Sequence, residues 1–290
     1  MLIDTHCHIH DANYPLDIGD ILTRAHHAGI NQMICVGTSV GSSKEALAFS
    51  ARHEHIYASI GVHPHDTKEG WEGLLRLIDR QPDYAFPETA SRRVPLEYAS
   101  GGTRAADVSL KGSQPSSTSV ASNLVAVGEI GLDYFYTHSP RETQIKALEW
   151  QIDLALRHNL PIIFHVREAF DDFWPIFDNF SGIRGELHSY TDSAKNLEEA
   201  VRRGLSIGVN GISTFTKDPA QKEMFAKIPM NLMLFETDAP FLTPAPLRGK
   251  VNEPAFVRHI AAYHAELRGV TLEEIASVTT ANARALFALV

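Results

Sequence analysis

The sequence predicts a (β/α)8 barrel, and three observations lead to this fold class. Eight short runs rich in apolar and β-branched residues alternate with helix-like segments along most of the chain. This alternation is typical of a parallel sheet covered by helices. The length of 290 residues fits one closed barrel. A doubly wound open sheet remains the structural alternative, because the number of strands alone does not show closure.

The predicted strands are short and lie at regular distances along the chain. We place them at 2–6, 31–37, 56–62, 124–129, 160–165, 184–189, 204–210 and 231–237. The clearest helical patterns between them cover 17–29, 141–159 and 193–204. The last of these patterns ends in Gly204, a residue typical of helix C-termini.

The segment 82–123 breaks this alternation. It is rich in Ser, Thr, Ala, Gly and Pro and has no sustained period, which predicts a flexible low-complexity insertion rather than a second domain. We therefore expect one barrel domain over 1–290. The insertion falls between the third helix and the fourth strand. Such connections lie on the barrel face opposite the active site, so the insertion should leave the site alone.

Composition sets limits on the function. Hydrophobic residues make up 44% of the chain and charged residues 21%, as in ordinary globular proteins. No long apolar run or secretory signal is evident, and the two cysteines are too few for a disulfide framework, so we expect a cytoplasmic protein. The net charge of −9 argues against long-range attraction to nucleic acid. It does not exclude a phosphate-containing substrate, because bound metal ions can supply local positive charge.

Histidines and acidic residues stand at the carboxyl ends of several predicted strands. In a barrel these ends meet at one mouth, where active sites lie. His6 and His8 are two positions apart on a strand, so their side chains point to the same side. The further candidates are Glu129, His165, His188 and Asp238, with His63 and His65 after the third strand. Histidines at 26, 27, 53, 55, 158, 259 and 264 fall in helices or connections, and we expect them to be solvated.

These side chains predict a metal site. Imidazole and carboxylate together suit Zn, Mn and Fe, and the number of candidates exceeds the needs of one ion. Two ions can stabilise the attacking and leaving oxygens of a displacement and activate a water as nucleophile. Asp238 is the best candidate to orient that water or to accept its proton. The expected ligands are His6, His8 and Asp238 for one ion and His165 and His188 for the other, with Glu129 as the bridge.

Other residues are candidates for contacts around this site. His63 can bind a substrate phosphate or cap the turn that follows it, and His65 has the same two interpretations. Arg167 and Arg248 carry guanidinium groups that match phosphate oxygens in pairs, although surface arginines are often only solvated. Glu236 shares the strand side of Asp238 and can orient a ligand or act as a buried structural acid.

The motifs DTHCH, GVHPH, VGEIGLDY, RETQ, LPIIFHVREA, LHSY, ETDAP and PLRGKVNEP occur in the order found in the TatD family of metal-dependent deoxyribonucleases. The chain resembles this family over nearly its whole length, apart from the insertion. The resemblance implies an amidohydrolase-like TIM barrel that hydrolyses DNA phosphodiester bonds, often as a 3′–5′ exonuclease on single strands. It implies Mg or Mn as activating ions, although the histidine-rich set could hold Zn. The positions matching the family's metal ligands are His6, His8, Glu129, His165, His188 and Asp238, and His63 matches one that holds the scissile phosphate.

The chain also departs from the family pattern. Ser189-Tyr190-Thr191-Asp192 replaces a Cys-Phe-(Ser/Thr)-Gly run, which puts substrate selectivity in question. Two other functions therefore stay open: a small-molecule amidohydrolase or phosphoesterase of the same superfamily, and a non-catalytic metal- or metabolite-binding protein. Many amidohydrolases have a lysine where this chain has Glu129, so the nuclease is favoured. We expect DNA single strands or ends as substrate, no membrane association and no obligate protein partner.

Overall fold

The computed structural model describes residues 1–80 and 123–290 of the chain. Eight parallel strands form a single sheet in sequence order, so each strand pairs with the next along the chain. All eight lie at the positions that the sequence predicts. They are Leu2–Cys7 (β1), Ile30–Val36 (β2), Ile56–Ile60 (β3), Leu124–Asp133 (β4), Ile162–Arg167 (β5), Gly185–Leu187 (β6), Ser206–Val209 (β7) and Met233–Phe235 (β8).

Contacts between the first and last strands close the sheet into a barrel. Cys7 forms a parallel bridge with Ala239, just beyond β8. The backbone N–H of His8 donates to the carbonyl of Ala239 at 2.8 Å, and that of Asp238 donates to the carbonyl of His6 at 2.8 Å. The predicted (β/α)8 barrel is therefore confirmed against the open-sheet alternative.

Helices follow the strands along the chain. They are α1 (Ile18–His27), α2 (Val40–Ser50), α3 (Leu74–Ile78), α4 (Arg141–Arg157), α5 (Phe170–Asp178), α6 (Ala194–Arg202), α7 (Ile212–Phe215), α8 (Pro219–Lys227), α9 (Val257–Arg268) and α10 (Leu272–Phe287). Short 3-10 helices lie at Pro64–Glu69, Met230–Leu232 and Pro254–Phe256. The three clearest predicted helices are confirmed as α1, α4 and α6.

Local chemistry explains where these helices begin and end. The side chain of Asp17 accepts the backbone N–H of Asp20 and caps α1, and Ser193 caps α6 in the same way. Thr271 and Glu274 form a capping box at the start of α10. After α6, Gly204 has a φ of 73°, a left-handed conformation that glycine adopts without steric cost.

Apolar packing between strands and helices holds the barrel. Phe164 of β5 is fully buried, and its ring lies 5.1 Å from that of Phe173 and 6.0 Å from that of Phe177, both in α5. Burying such a ring contributes about 2–3 kcal/mol. This contact fixes β5 immediately before His165, so the packing also positions a candidate site residue.

The predicted insertion lies between α3 and β4, as expected. Residues 82–122 of the predicted segment 82–123 lie outside the described residues. Asn123 is described: its side chain donates to the carbonyl of Ser50 at 2.7 Å, and its own carbonyl accepts the N–H of Ala58 at 2.8 Å. This anchor lies at the amino end of β4, opposite the mouth. None of the helices in 1–80 and 123–290 combines the length and apolar character needed to cross a membrane.

Candidate metal centre

Six side chains from five strand ends meet at the mouth of the barrel. Nε2 of His6 lies 3.4 Å from Oε2 of Glu129, and Nε2 of His8 lies 3.2 Å from Oδ1 of Asp238. His6 is fully buried. The structure therefore brings together the residues that the sequence singles out: His6, His8, Glu129, His165, His188 and Asp238.

Glu129 occupies the middle of this cluster. Its Oε1 lies 2.9 Å from Nδ1 of His165, 3.5 Å from Nε2 of His63 and 3.8 Å from Nε2 of His188. Its Oε2 faces His6 instead. The two oxygens of one carboxylate thus face different imidazoles, which is the arrangement that a bridging ligand needs.

The donor atoms form four groups, in each of which the atoms lie within 4.8 Å of one another. The groups are His6, His8 and Asp238; His6, Glu129 and His188; His63, Glu129 and His165; and His6, Glu186 and Glu236. The first group is the one expected for one ion. His165 and His188, which the sequence assigns together to the other ion, fall in separate groups. His188 stacks on His6 instead, with ring centroids 3.5 Å apart.

Two of the histidines turn their second ring nitrogen toward a hydrogen-bond acceptor. The contacts are His8 Nδ1 with the Val36 carbonyl at 2.9 Å and His165 Nε2 with Asp133 Oδ2 at 3.0 Å, whereas Nδ1 of His188 lies 2.9 Å from Oε1 of Glu236 without hydrogen-bond geometry. In a neutral imidazole, an N–H aimed at an acceptor leaves a lone pair on the other nitrogen. The rings of His8 and His165 can therefore present a bare nitrogen to the centre, as a metal ligand must.

In His63 the nitrogen that faces the centre carries the proton, and the other nitrogen is the acceptor. The backbone N–H of His65 donates to Nδ1 of His63 at 3.2 Å, so the proton of the neutral ring sits on Nε2. Burial, together with the neighbouring His165, lowers the pKa of His63 well below its usual value, which keeps the ring neutral. His63 thus offers an N–H to the centre rather than a lone pair. This favours a contact with a substrate oxygen over metal ligation.

The electrostatics of the centre suit a cation. Burial opposes ionisation of Glu129, but the surrounding imidazoles hold the pKa of its carboxyl well below the usual range. The pKa of Asp238 is also lowered, because the neighbouring histidines His8, His188 and His6 together outweigh burial. Despite burial, the carboxylates of Glu236 and Glu129 raise the pKa of His188 to about 10. A potential that retains a proton on a buried imidazole also attracts a metal ion in its place.

Sequence reasoning did not single out Asp133, four residues after Glu129 in the VGEIGLDY motif. Its Oδ2 lies 3.0 Å from Nε2 of His165 and 3.0 Å from Nε2 of His65. A histidine ligand commonly donates its other N–H to a carboxylate, which fixes its orientation. The even spacing from Glu129, which places both side chains on one side of β4, is the signal that could have found Asp133.

Asp4 is a second residue near the centre that the sequence patterns did not indicate. It lies two positions before His6 on β1 and is fully buried. Its carboxyl accepts the backbone N–H of Thr237 at 2.9 Å and the Thr237 hydroxyl at 2.6 Å. Burial raises the pKa of Asp4 to about 8. Asp4 therefore ties β1 to the residue next to Asp238.

Two of the predicted substrate-binding residues lie on aromatic rings at the barrel mouth. The guanidinium carbon of Arg167 is 4.0 Å from the ring centroid of Phe135, and that of Arg248 is 3.9 Å from the centroid of Phe215. Arg248 also donates to the carbonyl of Thr243 at 2.8 Å. Both arginines are exposed, so their charges remain available at the mouth.

The expectation of solvated helical histidines is wrong at two positions. His158 and His264 are both buried. Nε2 of His264 lies 2.9 Å from the hydroxyl of Ser213, and Nδ1 lies 3.0 Å from Arg268. His264 thus belongs to the packing of α9 against α7, where polar partners satisfy its ring.

The backbone is constrained where it carries these side chains. At Gly131 in β4, with a φ of 152°, an added Cβ would lie 1.8 Å from the carbonyl oxygen of His165. Only glycine permits β4 and β5 to approach so closely. Asp238 and Ser189 have left-handed φ values of 58° and 49°, which are unfavourable for residues with a side chain. Such strain is often found at functional sites.

The fold and this centre define the class of the protein as a metal-dependent hydrolase. A model of the family described as TatD related DNase matches residues 3–288. The chain belongs to the TatD family, which confirms the resemblance seen in its motifs. It is 33% identical over 289 residues to "Uncharacterized metal-dependent hydrolase YabD" of Bacillus subtilis, covering 99% of both chains.

Two further relatives match over the full length. "3'-5' ssDNA/RNA exonuclease TatD" of Salmonella typhimurium is 30% identical over 300 residues, covering 100% of both chains. The crystal structure of YJJV, a TatD homologue from Escherichia coli K12, has 28% identity and a TM-score of 0.79, covering 100% of this chain and 98% of that one. The fold and the chain length are therefore shared with this family throughout.

Proposed function

We propose that this protein hydrolyses phosphodiester bonds of DNA and removes nucleotides from single strands in the 3′–5′ direction, with two divalent cations. The similarity to a chain named as a 3′–5′ exonuclease on single-stranded DNA and RNA supports the substrate class. The position of Glu129 supports the chemistry, because one of its carboxylate oxygens faces His6 and the other faces His165.

The donor set suits two ions. Imidazole and carboxylate groups together fit Zn or Mn, and Mg is proposed from the family. When bound, a pair of divalent ions lowers the pKa of water toward roughly 7 and neutralises charge on a phosphate. The proposed ligands are His6, His8 and Asp238 for one ion and His165 and His188 for the other, with Glu129 between them.

Other groups of the chain act on the substrate. Asp238 is 17% exposed at its side chain and is the carboxylate proposed to accept the proton of the attacking water. The Nε2 proton of His63 is directed to an oxygen of the scissile phosphate. Arg167, Arg248 and His65 are proposed to contact neighbouring phosphates at the mouth.

Glu236 is proposed to act on a metal ligand and not on the substrate itself. It is fully buried, and its Oε1 accepts the backbone N–H of Ser189 at 2.8 Å while lying beside Nδ1 of His188. We assign it the role of orienting His188, as the sequence suggests. We also propose a cytoplasmic location, where nucleic acid occurs and where the two cysteines, both free and buried, stay reduced.

One assay separates this function from its alternatives. A 5′-fluorescent single strand is incubated with the protein and Mg²⁺ or Mn²⁺, alongside a panel of small esters and cyclic amides. We expect metal-dependent release of nucleotides that is lost in Glu129→Ala and retained in Glu142→Ala, an exposed glutamate of α4. Turnover of the panel with intact DNA would instead identify a small-molecule hydrolase. Metal binding without any turnover would identify a binding protein.

A further inference from the structure

Three exposed aromatic side chains stand on loops at the mouth of the barrel. Phe135 and Tyr136 follow β4 and are 48% and 42% exposed, and Phe241 follows β8 and is 62% exposed. Across residues 1–80 and 123–290, the other strongly exposed large hydrophobic residues lie at the termini or in α9: Met1, Leu267 and Val290. Exposed aromatic rings confined to the mouth indicate a ligand with flat, stackable faces.

Phe135, Tyr136 and Arg167 form one surface, which we call the aromatic platform. The guanidinium of Arg167 lies 4.0 Å from the centroid of Phe135 and 5.0 Å from that of Tyr136. Oδ1 of Asp133 accepts the backbone N–H groups of Phe135 and Tyr136, both at 3.0 Å. The platform is therefore held in place, and it combines stacking faces with a positive charge, the combination that binds single-stranded nucleic acid.

A row of ring contacts joins the platform to the candidate metal centre. The centroid separations along this row are 4.4 Å for His165 and His63, 4.3 Å for His63 and His65, and 5.4 Å for His65 and Tyr136. A group bound at the centre therefore lies close to the aromatic platform.

A pocket borders the centre on another side. This cavity of about 380 Å³, which we call the terminal pocket, is lined by His8, His10, Tyr14, Ser42 and Phe241, among others. His8 is a candidate ligand, so the pocket opens directly on the centre. His10 is buried and its Nε2 lies 3.1 Å from the hydroxyl of Ser42, which gives the pocket a fixed polar wall. The volume suits one small organic group.

The pocket and the platform lie on opposite sides of the mouth. The terminal pocket is built by the loops after β1, β2 and β8, and the platform by the ends of β4 and β5. In a closed barrel with strands in sequence order, these positions are about half a turn apart. The metal centre lies between them.

The charges of the two surfaces differ. The pocket lining contains Asp11, and none of the described residues that line it is Lys or Arg. A carboxylate repels phosphate, so this pocket disfavours a continuing polyanionic backbone and accepts an uncharged nucleoside end. The platform has Arg167 and accommodates a strand that continues.

We propose that the terminal nucleoside of a single strand enters the terminal pocket with its base against Phe241, while the next base stacks on the aromatic platform. The phosphate between the two nucleosides then faces the metal centre, and one nucleotide leaves per cleavage. This assignment rests on the proposed function and specifies its two base subsites. It also favours removal from an end, because a pocket that disfavours phosphate accommodates an internal stretch poorly.

Abasic substrates test the two subsites separately. The substrates are a 5′-fluorescent ten-nucleotide strand, the same strand with an abasic 3′-terminal nucleotide, and the same strand with an abasic penultimate nucleotide. The enzymes are wild type, Phe241→Ala, Tyr136→Ala and the control Leu267→Ala, which removes an exposed apolar side chain of α9. The measured quantity is kcat/KM with saturating Mn²⁺.

On the natural strand we expect Phe241→Ala and Tyr136→Ala each to lower kcat/KM about tenfold, since each substitution removes the ring on which one base stacks. The Phe241 effect should disappear on the terminal-abasic strand, and the Tyr136 effect on the penultimate-abasic strand. Leu267→Ala should match wild type on all three. Effects that are absent, or that persist on both abasic strands, overturn the assignment while leaving the nuclease in place. A wild-type protein that does not degrade the natural strand overturns both the proposed function and this assignment.

Discussion

Asp133 accepts a hydrogen bond from Nε2 of His165 at 3.0 Å, and its other oxygen holds the backbone of Phe135 and Tyr136. Burial opposes ionisation, but His165 and the backbone donors lower the pKa of the Asp133 carboxyl, so it is anionic and a strong acceptor. One carboxylate thus orients a candidate ligand and anchors the aromatic platform beside it.

Replacing this acceptor should weaken metal binding. Asp133→Asn keeps the size of the side chain but removes the charge that orients His165, and we expect affinity for Mn²⁺ to fall about 10–100-fold. Isothermal titration measures the change. The control is Asp172→Asn, which removes a carboxylate bound to Tyr134 and Arg141 outside the centre. Equal affinities of Asp133→Asn and wild type would show that His165 does not need this partner.

Removing a ligand should abolish turnover. We expect His165→Ala and Asp238→Asn each to lower the rate of strand hydrolysis by about 10³ or more, because each removes a donor that the transition state depends on. Initial rates on the labelled single strand provide the measurement. His27→Ala, an exposed histidine of α1, should keep the wild-type rate. A loss of less than tenfold in either ligand variant would contradict the assignment.

Chelation should remove activity and part of the stability together. A ligand that binds only the folded state stabilises it by about 2.7 kcal/mol at 100 times its dissociation constant. We expect EDTA to stop hydrolysis and lower Tm, and Mg²⁺ or Mn²⁺ to restore both. Metal analysis of the reloaded protein should give two ions per chain. A content of one ion would contradict the bridging role of Glu129.

Glu186 of β6 should be a site of stabilising substitution. It is fully buried, and neither carboxyl oxygen has a hydrogen-bond partner within the described part of the chain. An unsatisfied buried polar group costs about 1–3 kcal/mol, so Glu186→Leu should raise Tm by several degrees in the presence of EDTA. Thermal unfolding followed by circular dichroism tests this, with the exposed Glu142→Leu as control. A lower Tm in the Glu186 variant would reveal a stabilising partner of the carboxyl group.

Deleting much of the insertion should leave catalysis intact. Leu124 begins β4 at the amino end of the barrel, whereas Glu129 and Asp133 lie nearer the mouth. We expect a chain without residues 85–120 to hydrolyse the labelled strand within about twofold of the wild-type rate, because helix-to-strand connections lie away from the site. A large loss of kcat without a loss of Tm would show that this segment reaches the mouth.

The strand positions and the gathering of six side chains could be predicted from the sequence. Apolar runs such as LPIIFH are local, and a barrel brings all its strand ends to one mouth. The placement of His6 and His8 on the same side follows from strand alternation alone. Both predictions depend only on local patterns and on the general geometry of a barrel, and therefore they hold in the folded structure.

The internal arrangement of the centre could not be predicted in this way. The stacking of His188 on His6 depends on how the ends of β1 and β6 approach across the barrel, which no local pattern encodes. The proton position on His165 depends on Asp133, which another strand contributes. Burial of His264 likewise depends on which face α9 turns inward.

The hydrogen bond from the Asp238 N–H to the His6 carbonyl joins the first strand to the last. In the proposed assignment the donors for one cation come from the first and the last strand, so a chain still emerging from the ribosome lacks a full coordination sphere. The proposed hydrolytic capacity would therefore arise only when translation has passed β8, and a chain truncated before that point is expected to be inactive.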